Sequence, residues 1–586
     1  MTKTVKAVCV LIGLCCVLNS FMPRFSLQSG ASAQASETVK AVWAATVYSL
    51  DYPKKATTNS ESLKADLNEM VNNVKSLGFN TLFFQVRPAA DAFYKSEIFP
   101  WSQYLTGELG KAPDGGFDPL EYLITSAHAA GIKVHVWINP YRVTMSASDK
   151  AAEAECGIAN KFKDIVVRSS DGKLYLNPGE PKSNELIISG IREILKNYAA
   201  DGIHLDDYFY PSGDFPDAET FTRYGGDYAD LGDWRRSNTT ALIKGAYEAV
   251  KEEKPGAVFS VSPSGIWANK KTNPQGSNTL GAQSYYDNYA DSRQWLKEGM
   301  ADWIMPQIYW NFGNNGADFK EVADWWSAEA EGSSAKLVIG LAAYKAADEK
   351  NGTSPWFGES GIDELKRQCA YVSQIKNTSG YAMYRLGSVT KSAALSDYVK
   401  KQNALPKSSF SDCVDYAWAA EAIENLYEKG IISGRGDGSF GCGEKVSRAD
   451  FLLMLSRAAN FKATNSGETE FSDVEKSAYY YEAVMAAKEL GIAKGTESGS
   501  FNPGGSVSRE DMAVMVHRTL EALGKELKAA ENLNFSDAAE ISDYAKEAVG
   551  AMVKAGIISG YETGDFKPKN ALSRAEAAVI LSKIEF

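Results

Sequence analysis

Between residues 39 and 384, short runs of β-branched and aromatic residues alternate with longer stretches whose apolar positions recur every three or four residues. The short runs are Val39–Thr46, Thr81–Val86, Lys133–Ile138, Gly202–Leu205, Val258–Val261, Trp303–Tyr309, Leu337–Leu341 and Tyr381–Tyr384, and their length and composition predict strands. Leu63–Leu77, Leu120–Ala130, Glu185–Tyr198 and Thr239–Glu252 carry a helical apolar stripe and predict helices between them. Gly78, Gly131, Gly202, Gly256, Gly299 and Gly380 stand just before or at the start of six of the strands. Eight strands alternating with helices predict an α/β chain folded as a (β/α)8 TIM-type barrel with long loops. A doubly wound open sheet is the alternative, but no glycine-rich phosphate loop follows the first strand and no P-loop occurs anywhere. Pro306 interrupts the sixth run; without an N–H it demands a bulge or an early strand end.

After a linker at 402–409 the pattern changes to helices only, and it repeats. Phe410-Ser411-Asp412, Phe471-Ser472-Asp473 and Phe535-Ser536-Asp537 each open a unit. Each unit continues through a glycine-bounded turn (Gly430–Gly434, Gly491–Gly495, Gly556–Gly560) to Ser447-Arg448-Ala449-Asp450, Ser508-Arg509-Glu510-Asp511 or Ser573-Arg574-Ala575-Glu576. A fixed period of this kind predicts stacked supersecondary units, here over 410–465, 471–528 and 535–586. Ser447, Ser508 and Ser573 have the spacing of capping boxes with Asp450, Asp511 and Glu576. Arg448, Arg509 and Arg574 instead oppose the helix dipole. Beside a free helix N-terminus, each is a candidate anion site. The three units resemble S-layer homology repeats, an all-α-rich array. That resemblance implies attachment to the bacterial cell wall, with the three arginines touching an acidic secondary cell-wall polymer.

The N-terminal pattern agrees with an exterior location. Lys3 and Lys6 precede the apolar run Ala7–Leu18 and the small-residue stretch Ala31-Ser32-Ala33-Gln34-Ala35, which reads as a secretory signal peptide over 1–35, leaving the barrel over 36–401. The expected location is secreted, at the cell wall or S-layer, with no membrane span after removal of the signal. A net charge of −12 argues against nucleic acid as a partner. Cys9, Cys15 and Cys16 leave with the signal; Cys156, Cys369, Cys413 and Cys442 remain, too scattered for a disulfide framework or a metal site. Cys413 and Cys442 share one repeat and could pair, although two buried thiols are the simpler reading. His128, His135, His204 and His517 lack ligand spacing, so neither metal nor cofactor is expected.

In a (β/α)8 barrel, chemistry sits at the C-terminal ends of the strands. The fourth predicted strand ends in His204-Leu205-Asp206-Asp207-Tyr208. Alternation sends Ile203 and Leu205 to the helices and His204 and Asp206 to the barrel axis. Two adjacent carboxylates repel, which raises the pKa of one, so Asp206 and Asp207 are the candidate catalytic pair. Arg87, Asp91, Asn139, Tyr141, Arg142, Trp267, Gln307, Tyr309 and Trp310 follow other strands and offer the directional donors and flat apolar faces that a sugar site uses.

The barrel resembles glycosyl-hydrolase-like family 10. The resemblance rests on Val42-Trp43-Ala44-Ala45-Thr46, Phe84-Gln85-Val86-Arg87, Ile138-Asn139-Pro140-Tyr141-Arg142, Gly202-Ile203-His204-Leu205-Asp206-Asp207-Tyr208, Ser262-Pro263-Ser264-Gly265-Ile266-Trp267 and Pro306-Gln307-Ile308-Tyr309-Trp310. It implies hydrolysis of O-glycosidic bonds in a cell-wall or extracellular polysaccharide. A non-catalytic glycan-binding barrel is the alternative. The second catalytic group stays open, because the fifth strand ends in Ser262-Pro263-Ser264, where many barrel glycosidases carry a glutamate.

Overall fold

The computed structural model describes residues 38–586 apart from 150–152, 212–213, 348–354, 357–358, 406–407, 463–470, 496–498, 531–532, 562 and 585. The expected signal peptide lies outside the described residues. Ten strands are present among the described residues: β1 Val39–Ala44, β2 Thr81–Arg87, β3 Lys133–Ile138, β4 Val166–Arg168, β5 Leu174–Leu176, β6 Gly202–Leu205, β7 Val258–Val261, β8 Trp303–Ile304, β9 Lys336–Leu341 and β10 Thr378–Tyr384. Eight of them close a parallel barrel in the order β1-β10-β9-β8-β7-β6-β3-β2. The antiparallel pair β4-β5 belongs to the long connection between β3 and β6; nothing in the periodicity announces it, because each strand is only three residues long.

The helices begin where their caps stand. Asn59 accepts from Ser62 N at 2.8 Å and opens Ser60–Ser76. Asp118 accepts from Leu120 N and Glu121 N and opens Pro119–Ala129, with proline at the first helical position, where a missing N–H costs nothing. β8 stops at Ile304, earlier than the apolar run predicts. Pro306 has no N–H to give the ladder, yet its carbonyl accepts from Gly340 N at 2.9 Å. Gln307 then bridges Ser264 on one side and Gly340 on the other, so the chain still runs between its neighbours as it leaves the barrel. At Gly380, φ is +137°, and a Cβ there would lie 2.0 Å from the Val39 carbonyl oxygen; only glycine lets β10 approach β1 so closely.

Side chains separate by parity. Ile203, Leu205 and their equivalents on the other strands join the layer between strands and helices. Trp43, Phe83, Trp137, Trp303, Met305 and Val338 fill the barrel interior. His204 lies in that interior. It accepts from Trp43 Nε1 at 3.1 Å through Nε2, which leaves Nδ1 to donate to Ser260 Oγ at 2.9 Å. Burial pushes its pKa far down, so it is a neutral structural hydrogen-bonding residue.

The repeats form a closed ring. Helix Arg448–Ala459 packs on Tyr481–Glu489, Arg509–Ala522 on Asp543–Lys554, and Arg574–Ser582 returns to Ala417–Glu428. Bridges Ser447–Ser506, Ser508–Ala571 and Lys445–Ser573 join the three units in the same cyclic order. Each predicted serine caps its helix, accepting from the N–H of Asp450, Asp511 or Glu576. The reciprocal bond that completes a capping box is made by Glu576. Among the described residues at 402–409, helix Ala393–Ala404 runs into the stretch, and Leu405, Ser408 and Ser409 are buried. Gln374 of the barrel donates to the Ser409 carbonyl, and Lys366 lies 3.7 Å from Asp415.

Candidate active site

A pocket of about 310 Å³ opens at the C-terminal ends of the barrel strands, large enough for a sugar unit. Asp206 sits in its wall and is nearly buried. Its Oδ2 accepts from Trp137 Nε1 at 3.1 Å and Asn139 Nδ2 at 2.8 Å, and its Oδ1 accepts from the N–H of Asp207 at 2.6 Å. A relay holds this arrangement. Thr46 N and Val47 N donate to Gln85 Oε1, whose Nε2 donates to Asn139 Oδ1 at 2.7 Å. That leaves the Asn139 amide only one orientation, with its NH2 toward Asp206.

Asp207 is half-buried beside it. Burial and the neighbouring Asp206 charge push its pKa well above the usual carboxylate range, and a hydrogen bond with Gln307 opposes them only in part. Asp207 therefore holds a proton under conditions where an exposed aspartate has lost it. Arg142 stacks its guanidinium 4.0 Å over the Tyr208 ring, and its Nη2 is buried with no protein partner. Tyr309 and Tyr384 stack at 6.2 Å, with Tyr344 edge-on to both at 6.0 Å. The site thus combines an acid whose proton is held more tightly than usual, a second carboxyl group facing donors, an unpaired guanidinium nitrogen and an aromatic wall.

Of the candidates named from the sequence, Asp206, Asp207, Asn139, Arg142, Gln307 and Tyr309 line this pocket. The structure places five others elsewhere. A register shift in β2 between Gln85 and Arg87 turns Arg87 out of the barrel, where it is fully buried with its guanidinium 3.6 Å over Phe99. Asp91 lies in a separate small cavity with Gln103, Tyr104 and Asp149, its pKa pushed up to about 6 by burial. Tyr141 is buried and donates to Asn184 Oδ1 at 2.7 Å on helix Pro181–Asn197. Trp267 donates to Asp291 Oδ1 at 2.9 Å and stacks on Trp325. Trp310 continues the alternation past Pro306: Gln307 and Tyr309 face the pocket, whereas Ile308 and Trp310 pack outward.

Gln85, Trp137, Tyr344 and Tyr384 also line the pocket but were not among the expected binding residues. Parity with Asn139 and His204 would have found Gln85 and Trp137. Tyr344 stands on the short helix Ala343–Ala346 after β9, and no pattern in the sequence signals it.

The family comparison agrees with this geometry. The profile of "Glycosyl hydrolase-like 10" matches residues 38–358, and that of the S-layer homology domain matches 409–452, 470–513 and 534–578. The chain belongs to the glycosyl hydrolase-like 10 family. Glycosyl hydrolase YngK of Bacillus subtilis (strain 168) is 39% identical over 367 residues, covering 62% of this chain and 70% of that protein. Glycosyl hydrolase DigH of Escherichia coli (strain K12) is 35% identical over 381 residues, covering 62% of this chain and 86% of that one.

The S-layer homology domains indicate attachment to the bacterial cell surface, but their three arginines stand differently from the sequence expectation. The helix N-termini beside them are not free. Arg448 N, Arg509 N and Arg574 N donate to the carbonyls of Gly505, Asn570 and Glu444 in the next unit of the ring. The guanidinium groups follow, with Nε donating to the carbonyls of Phe501, Phe566 and Phe440 at 3.1, 2.9 and 2.9 Å. The outer nitrogens of two face acids of the adjoining unit, Arg448 to Asp511 at 3.6 Å and Arg509 to Glu576 at 3.3 Å, and that of Arg574 donates to the Ser433 carbonyl at 3.3 Å. The dipole is no obstacle, because each arginine points into a neighbour's carbonyls. Interlocking the ring is the role these contacts support.

Proposed function

We propose that the barrel is a glycoside hydrolase that cuts O-glycosidic bonds in a cell-wall or extracellular polysaccharide, and that the chain is exported and held at the wall by its repeats. The observation that carries the catalytic part is the adjacent, hydrogen-bonded pair Asp206–Asp207 in an aromatic-walled pocket, where burial and its neighbour push the pKa of Asp207 up. Asp207 is the acid that protonates the leaving oxygen. Asp206, fixed by Trp137 and Asn139, stabilises the charge that develops on the sugar.

The pair is adjacent and hydrogen-bonded, so both groups act from one side. A two-carboxylate glycosidase instead holds its groups roughly 5–5.5 Å apart when retaining or about 6.5–9.5 Å apart when inverting, across the scissile bond. No other acid lines the pocket among the described residues. An N-acetyl sugar supplies the missing nucleophile itself, through its acetamido oxygen, and Asp206 is placed to orient that group. The test is release of reducing ends from wall glycans with intact N-acetyl groups and from the same glycans after de-N-acetylation. Turnover of the first alone supports the reading. Equal turnover of both would remove the acetamido step but leave hydrolysis standing, and binding without turnover of either would make the barrel a glycan-binding module.

A further inference from the structure

Cys413 and Cys442 are buried in the first repeat with their sulfurs 3.7 Å apart. The internal repetition of the chain shows how unusual the pair is. Phe410-Ser411-Asp412-Cys413 aligns with Phe471-Ser472-Asp473-Val474 and Phe535-Ser536-Asp537-Ala538. On the second loop, the Cys442 carbonyl accepts from Ala575 N, as Pro503 accepts from Ala449 N and Pro568 from Glu510 N, so Cys442 occupies the place of a proline. Two departures from the repeated pattern therefore occur in one unit, 29 residues apart, and their sulfurs meet.

We infer that Cys413 and Cys442 form a disulfide that staples the first repeat. A disulfide needs its sulfurs about 2.05 Å apart, so the two already in contact at 3.7 Å must draw closer for the bond to form. The alternative is a metal, since Asp412, Cys413 and Cys442 present ligand atoms within 4.8 Å of one another. Asp412, however, is already committed. Its oxygens accept from Phe440 N at 2.8 Å and Cys442 N at 2.6 Å. Asp473 and Asp537 accept from two loop N–H groups in the same way in repeats that have no thiols. Two thiolates alone do not make a closed four-ligand site.

The position gives the bond a purpose. Proline stiffens the loop in the second and third repeats; the first lacks it, and a cross-link does the same work by constraining the open chain. That loop also receives Arg574 from the third repeat, through the Phe440 carbonyl, across 134 residues of sequence. It is one of the contacts that close the ring, and closing the longest loop costs the most chain entropy.

Bond formation takes one proton and one electron from each thiol. A disulfide co-reactant, from a small thiol or a thiol oxidoreductase, accepts them and leaves as two thiols. The inference uses the surface location proposed above only as the source of oxidising conditions. Its test does not depend on that location. Full-length protein purified under reducing conditions is equilibrated with oxidised glutathione until its thiol count is constant, denatured, and alkylated without reductant. Alkylation of Cys156 and Cys369 but of neither Cys413 nor Cys442, with loss of two hydrogens in the peptide pair carrying those two, is the expected result. Cys413→Ala should leave Cys442 alkylated, and Cys442→Ala should leave Cys413 alkylated. Reductant should lower the melting temperature of the oxidised wild type by several degrees and leave that of the double alanine variant unchanged. Alkylation of both Cys413 and Cys442, glutathione attached singly to either residue, or one equivalent of zinc bound with both thiols unoxidised would each overturn the inference. The same count on protein recovered from a cell surface reports separately on export.

Discussion

At the scale of single residues, Asp206 and Asp207 make opposite demands on their surroundings. Asp206 is met by three N–H donors, whereas Asp207 has burial and a neighbouring negative charge against its ionisation. Asp206→Asn keeps the shape and removes the charge; kcat should fall by about two to four orders of magnitude if the pair does acid–base work. The pH profile adds a second readout. Activity that needs protonated Asp207 declines as pH rises through its raised pKa. Removing the Asp206 charge lowers that pKa, so any residual activity of Asp206→Asn should lose its alkaline limb at a lower pH. Stability gives a third. The folded state binds the Asp207 proton more tightly than the unfolded chain, so stability on its account falls as pH rises from the ordinary carboxylate pKa to the raised one. Asp207→Asn removes that penalty and should melt higher than wild type at neutral pH while losing turnover. Loss of both turnover and stability in this variant would show that Asp207 is ionised and held by partners, and the acid would have to be sought elsewhere.

Individual elements show how far a sequence pattern reaches. All eight barrel strands were legible, because a buried parallel strand reads as an apolar run bounded by helix ends. The inward direction of Asp206 was legible too, since a period of two needs only one correct register. Arg87 was not, because a single-residue shift in β2 inverts parity. Trp310 was mistaken for a rim residue because aromatic content says nothing of facing, and Tyr344 was missed because it stands on a helical turn and not on a strand. Aromatic variants should divide along this line. Trp267→Ala deletes a buried, stacked ring and should cost about 3–5 kcal/mol of stability, with kcat and KM unchanged in the folded fraction. Tyr309→Ala removes pocket wall and should raise KM more than it lowers kcat. If Trp267→Ala raises KM while the melting temperature holds, the placement of that ring in the outer layer is in error. The repeat arginines divide in the same way. Each Nε–carbonyl bond crosses from one unit to the next, so Arg574→Ala should lower the melting temperature of the ring by removing buried hydrogen bonds of a charged group, worth about 1.5–3 kcal/mol each. Arg574→Lys should not restore it, since an ammonium cannot reproduce the planar fork. Lost binding to wall sacculi with an unchanged melting temperature would return these arginines to the polymer.

For the whole molecule, the question is what a barrel gains from being joined to a closed ring. The helices of the ring pack on one another in a closed cycle and its serines cap its own helices, so residues 409–586, although their apolar core runs on into that of the barrel, should fold alone and sediment with sacculi that keep their secondary polymer. The barrel keeps its relay from Thr46 through Gln85 and Asn139 to Asp206 within residues 46–206, and no pocket residue comes from the repeats. Cut at residue 405, it should retain the kcat and KM of the full chain on soluble glycan fragments. On intact sacculi the outcome should differ, because anchoring makes each encounter between pocket and glycan intramolecular. The separated barrel should lose roughly 10- to 100-fold in rate at low enzyme concentration, and adding the free repeats should not restore it, since they supply no tether. If the rate falls equally on soluble and insoluble substrate, contacts such as Gln374 with Ser409 and Lys366 with Asp415 hold the barrel itself together. The repeats would then be part of the catalytic fold in addition to its mooring.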